Sequence, residues 1–195
     1  MHDLLTIGHS VHPIERFLEL LLMHGVTALC DVRSSPYSRF TPQFNRESLK
    51  DELAKHHFAY IYLGAELGPR SSDPNCYEGG KVQYDLLAVT DLFQQGLSRL
   101  RKGMTSHRIA LMCAEKDPIV CHRMILICRH LRDDGISIGH LLEDGSIEDN
   151  RDAEARLLDL LKISPEDLFS TTADQVAHAY DLQGERIAYT IIIAL

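Results

Sequence analysis

The chain has 195 residues, of which 45% are apolar and 25% charged, and its formal net charge is −8. That length suits one well-buried core with room for an appendage, and that composition excludes a disordered chain. Residues 1–140 hold 16 Lys/Arg and 16 Asp/Glu while residues 141–195 hold 4 and 12, so the body is neutral and lacks the general basic footprint of a nucleic-acid binder.

The apolar run Leu4–Ile7 reads as a first strand ending at Gly8-His9-Ser10. Ile14, Phe17, Leu18, Leu21 and Leu22 follow helical spacing, with Pro13 suited to the first turn and Gly25 to the end. Val26–Val32 is a second strand. A polar stretch broken by Pro36 and Pro42 follows, then a helix over Arg46–His56 and a third strand, Ala59–Leu63. Residues 64–83, rich in glycine, are expected to form an irregular loop. Tyr84–Lys102 is a long amphipathic helix, Arg108–Cys113 a fourth strand, Pro118–Asp134 a helix followed by Gly135, and Ser137–Leu142 a fifth strand. Short acidic helices are expected at Asp152–Leu161 and Pro165–Phe169. The closing Ala188–Leu195 is apolar and β-branched, an extra strand or a docking segment.

Strict strand–helix alternation predicts an α/β fold, a mainly parallel sheet flanked by helices, with a small acidic helical C-terminal appendage. Residues 1–148 would carry the site, and residues 149–195 would pack on the same domain. The opening Met1-His2-Asp3-Leu4-Leu5 has no basic region leading into an apolar stretch, and the apolar runs are far too short to span a bilayer. A cytoplasmic location away from membranes is expected.

Five cysteines, at 30, 76, 113, 121 and 128, then read as reduced thiols. On one helix Cys121 and Cys128 would stand about 10 Å apart, too far to share an ion. Cys113 and Cys121 lack partners at finger-like spacing. No metal and no cofactor is expected.

Three loops carry the polar signals. In Cys113-Ala-Glu-Lys-Asp-Pro-Ile-Val-Cys-His-Arg123, a strand delivers Cys113 to a loop, and Cys121, His122 and Arg123 fall in the first turn of the following helix. The unpaired N–H groups there would lower a thiol pKa. In Asp31-Val-Arg-Ser-Ser-Pro-Tyr-Ser-Arg39, two arginines leave a strand end among hydroxyls, a donor set suited to phosphate or carboxylate. Leu63-Gly-Ala-Glu-Leu-Gly-Pro-Arg70 adds a further cation. The bland readings are buried cysteines and surface ion pairs.

These segments, with Thr6-Ile-Gly-His-Ser10 and His140-Leu-Leu-Glu-Asp-Gly145, together resemble the bacterial and archaeal Domain of Unknown Function 488 family, in order from about residue 4 to residue 146. The resemblance implies an enzyme, with a link to DNA repair for some members. It brings no reaction or substrate with it.

The expected function is therefore a hydrolase or transferase acting on a small anionic, nucleotide-like substrate. Arg33, Arg39, Arg70 and Arg123, with Ser10 and His122, would hold the anion. Cys121 or Cys113 would be the nucleophile, and Glu115 or His9 the proton carrier. A phosphatase or rhodanese cradle ranks lower, because Glu115 and Asp117 would repel an oxyanion in that loop. The alternatives are a non-catalytic module binding a ligand or nucleic acid, and a thiol redox protein using Cys113 and Cys121.

Overall fold

A computed structural model describes residues 2–164 and 170–191. In chain order the elements are β1 (Leu4–Gly8), α1 (Ile14–Met23), β2 (Ala28–Asp31), α2 (Arg46–Lys55), β3 (Ala59–Tyr62), α3 (Gly64–Leu67), β4 (Tyr77–Glu78), β5 (Lys81–Val82), α4 (Tyr84–Ala88), α5 (Asp91–Met104) and β6 (Ile109–Cys113). A π-helical stretch, Arg123–Cys128, then runs into α6 (Arg129–Arg132), followed by β7 (Ile138–Leu141), β8 (Ile147–Asp149), α7 (Asn150–Leu161) and α8 (Thr172–Ile187).

Six strands form one sheet in the order β3-β2-β6-β1-β7-β8. All neighbours pair in parallel except β7 and β8. The alternation of side chains sorts the core. Leu5 and Ile7 of β1 and Ala110 and Met112 of β6 face α1 and α2, where Phe17, Leu21, Leu49 and Leu53 are buried. Leu4, Ile109, Leu111 and Cys113 face the other way, toward Phe93 and Leu97 of α5 and Leu126 and Ile127 of the π-helix. The helices that follow the neighbouring strands β1 and β6 lie on opposite faces, so the winding of the sheet reverses at their carboxyl ends, the place where ligands sit in such sheets.

Several expectations need correction. Tyr84–Lys102 is two helices, because Thr90 accepts a hydrogen bond from the Phe93 N–H and caps a new start. Pro118–Asp134 is not one helix. Asp117 caps a three-residue 3-10 turn, Pro118–Val120, and Cys121 is extended at φ −130°, ψ 138°, before the π-helix begins. Residues 64–83 contain α3 and the β4–β5 hairpin. The fifth strand gains an antiparallel partner, β8, that the sequence pattern did not mark.

In the acidic tail, α7 and α8 share an apolar cluster with Ile119, Met124 and Ile125 of the body, through Leu157, Val176 and Tyr180 among others. Chain segment 188–191 lies beside the β4–β5 hairpin, with the Val82 N–H bonded to the Tyr189 carbonyl and the Ile191 N–H to the Gly80 carbonyl. The expected helix Pro165–Phe169 and the rest of the closing apolar segment lie outside the described residues. Among the described residues no helix is long and apolar enough to cross a membrane.

Candidate functional site

The loops after β1 and β6 are in direct backbone contact. The His9 N–H bonds to the Cys113 carbonyl and the Ser10 N–H to the Ala114 carbonyl, both at 2.9 Å. This zips the loop after β1 to the loop after β6. Gly8 permits it, since a Cβ there would stand 1.9 Å from the Glu115 carbonyl oxygen. Ser10 adopts the left-handed region at φ 45°.

Four side chains converge at the end of β6. The Cys113 thiol donates to Glu115 Oε2 at 2.7 Å and the Cys121 thiol donates to the same oxygen at 3.1 Å. His122 Nδ1 lies 3.5 Å from the Cys113 sulfur and 3.8 Å from the Cys121 sulfur. The other ring nitrogen, Nε2, is 3.0 Å from the Val32 carbonyl, which can only accept; it therefore carries the proton and Nδ1 presents a lone pair. The ligand-type atoms of Cys113, Glu115, Cys121 and His122 all lie within 4.8 Å of one another, and these residues could hold a metal ion. Both cysteines and His122 are buried, whereas Glu115 is exposed. Burial pushes the Glu115 carboxyl up, but the two thiol hydrogen bonds outweigh it and hold the group below its usual range.

The helix start at Cys121 does not make its thiol reactive. Burial raises its thiol well above the ordinary value, followed by its hydrogen bond with Cys113; Arg123 opposes more weakly. Cys121 does stand at a helix start, its carbonyl accepting from the Met124 and Ile125 N–H groups and its sulfur from the Arg123 N–H at 3.5 Å, but burial outweighs that position.

The arginines divide into two kinds. Arg33 is spent on its own neighbours: Nε and Nη2 donate to Asp31 at 2.9 and 2.6 Å, Nη2 to the Phe44 carbonyl, and Nη1 to His9 Nε2 at 3.1 Å. Tyr60 adds a further bond to Asp31. Arg123 is fully buried and donates to the Glu115 and Lys116 carbonyls at 2.6 and 2.9 Å and to Thr6 Oγ1. Neither presents its guanidinium to a ligand, contrary to the role expected of them. Arg39 and Arg70 are exposed on the loops that leave β2 and β3. Arg70 lies over the Tyr189 ring, 4.2 Å from its centroid.

His9 is likewise committed. It stacks on Phe44 with centroids 4.3 Å apart, Nδ1 donates to the Ser10 carbonyl, and Nε2 accepts from Arg33. Burial, then Arg33, lowers its pKa to about 4. A neutral ring with both nitrogens bonded is a poor proton carrier.

Sequence reading missed two parts of the site. His122 stood there as an anion contact, although the pair Cys121-His122 beside a strand-end cysteine is a ligand-type set. It also missed the buried chain behind Arg123, in which Thr6 bonds His140 at 2.8 Å, His140 bonds Asn150 at 3.1 Å, and Asn150 and Tyr180 both reach Glu154. This chain links the tail helices to the strand-end loop. No signal in the sequence marks it, because its members are up to 174 positions apart.

No curated protein and no solved structure matches the chain. A family model does match, over residues 13–129, well over half its length, and these include the Asp31–Arg39, Gly64–Arg70 and Cys113–Arg123 segments just described. The chain therefore belongs to the family described as Domain of unknown function DUF488.

Proposed function

We propose that this chain is an enzyme, a hydrolase or transferase, whose reaction centre is the cluster of Cys113, Glu115, Cys121 and His122. One observation carries the reading. An exposed carboxylate is held in place by two buried thiols, with an oriented imidazole behind it, at the carboxyl end of β6. Glu115 is the general base in this scheme. Its lowered pKa keeps it ionised near neutral pH, and its exposure lets it take a proton from a water or an acceptor hydroxyl. Cys121 is a positioning group and not the nucleophile, since burial keeps its thiol protonated.

The substrate is a small anion such as a nucleotide or phosphoester. Arg39 and Arg70 support this class, as exposed cations on loops leaving the same strand edge, with no carboxylate partner among the described residues. Screening the full chain against phosphomonoesters, nucleotides and nucleosides tests the reading. Glu115→Gln is expected to lower kcat about 10²–10⁴-fold, and Arg39→Ala to raise KM with kcat kept. Turnover unaffected by Glu115→Gln would remove the proposed chemistry.

A second reading, a thiol redox protein, draws on the same two sulfurs meeting one carboxylate oxygen. It differs in requiring a Cys113–Cys121 disulfide on mild oxidation, and activity that depends on it.

A further inference from the structure

We infer that Cys113, Cys121, His122 and Glu115 form a mononuclear site for a divalent transition ion of zinc type, with Glu115 as the exchangeable fourth ligand. The donor set is two sulfurs, one imidazole nitrogen and one carboxylate oxygen, which suits a borderline-soft ion better than calcium or magnesium.

With metal bonds of about 2.3 Å to sulfur and about 2.0–2.1 Å to nitrogen or oxygen, a tetrahedral site separates sulfur from nitrogen or oxygen by about 3.5 Å. The two sulfur–nitrogen separations at His122 are 3.5 and 3.8 Å. The two sulfur–oxygen separations at Glu115 are 2.7 and 3.1 Å, so the carboxylate need only draw back slightly from its thiol bonds.

The outer groups are already arranged for a ligand shell. His122 donates Nε2–H to the Val32 carbonyl at 3.0 Å, which fixes the ring and leaves Nδ1 bare toward the sulfurs. The Arg123 N–H points at the Cys121 sulfur at 3.5 Å, a bond that strengthens when the sulfur is a thiolate. The Arg123 guanidinium is fully buried, yet among the described residues it bonds only neutral acceptors, two carbonyls and the Thr6 hydroxyl. With the ion bound, two thiolates offset its charge, so the ion adds no net charge beside the buried guanidinium.

Accessibility orders the four ligands. Cys113, Cys121 and His122 are buried and form a closed inner face, while Glu115 is on the solvent side. Three fixed protein ligands and one displaceable position is the pattern of catalytic rather than structural zinc sites. The inference shares its residues with the proposed function but not its reaction class, so spectroscopy can reject one while turnover keeps the other.

The test uses the full chain, stripped of metal and kept reduced without oxygen, then titrated with cobalt(II) alone and chased with zinc. The expected result is one equivalent bound, with the strong visible bands of a tetrahedral cobalt centre, a sulfur-to-cobalt charge-transfer band, and loss of both on adding zinc. Cys121→Ser should lose the charge-transfer contribution of one thiolate, and Glu115→Gln should keep the charge transfer at higher cobalt concentration. A reduced, folded chain that binds no cobalt would overturn the inference. So would weak uptake without charge transfer and indifferent to Cys121→Ser, the mark of surface histidines. Should Cys121→Ser fail to fold, as judged by circular dichroism, the wild-type spectrum decides alone.

Discussion

Asp31 has no solvent exposure and accepts from Arg33 through both oxygens, from the Arg33 N–H, and from Tyr60. The Asp31-Val-Arg33 segment, which in sequence reads as an anion grip, is a buried scaffold that fixes His9 and the loop after β2. Asp31→Asn should therefore act on stability, leaving Arg33 as a buried cation facing an amide. The expected loss is about 3–5 kcal/mol, read from chemical denaturation. A loss below about 1 kcal/mol would mean that water already solvates Arg33. The residue scale also shows why part of the site was illegible. Glu115, Cys113 and Cys121 stand out as chemical types, but nothing in their spacing sets the distance between Cys121 and Cys113. The extended backbone at Cys121 separates the 3-10 turn from the helix that this residue caps and leaves its thiol beside the strand end, whereas a continuous helix from Pro118 would have placed it inside the first turn.

At the scale of elements, the sheet was legible wherever a strand is buried on both faces. Ile109–Cys113 is such a run, with every residue buried, and so is β1. Val26–Val32 reaches past β2 at both ends, although Thr27 and Val32 still bond across to the segment of β6, and β8, three half-buried residues after a turn, carries too little apolar pattern to register. The glycines were legible as signals but not in purpose. Gly8 lets the β1 and β6 loops touch, and Gly68 approaches Gly64 and Ser34 so closely that a Cβ would meet each at 2.3 Å. Gly8→Ala sets a Cβ against main chain that carries the Cys113–Glu115 turn. It should cost about 1–3 kcal/mol by overpacking and abolish the cobalt charge-transfer spectrum even where the chain still folds. A wild-type spectrum in Gly8→Ala would show that the loop contact does not position the cluster.

For the whole molecule, two buried histidines tie stability to pH. His140 is pulled down to about 3 by burial and then by Arg123, and His9 to about 4 by burial and then by Arg33. In the unfolded chain both would titrate near about 6.5. Between those values the unfolded state binds more protons, so folding stability falls as pH drops below about 6.5. From pH 7 to pH 5 the expected loss is about 2 kcal/mol for each ring. Urea midpoints that do not move over that interval would show that the rings are not held neutral. His140 also binds the tail to the body through Asn150, so acid should loosen α7 and α8 with the sheet in a single transition and not before it. The central claim, that four side chains at the switch of the sheet form one working centre, is tested most directly by diffraction from full-length crystals grown with zinc, recorded at the zinc edge. The expected result is one dominant anomalous peak within about 2.0–2.3 Å of Cys113 Sγ, Cys121 Sγ and His122 Nδ1. A peak at surface histidines with these four side chains turned apart would contradict it.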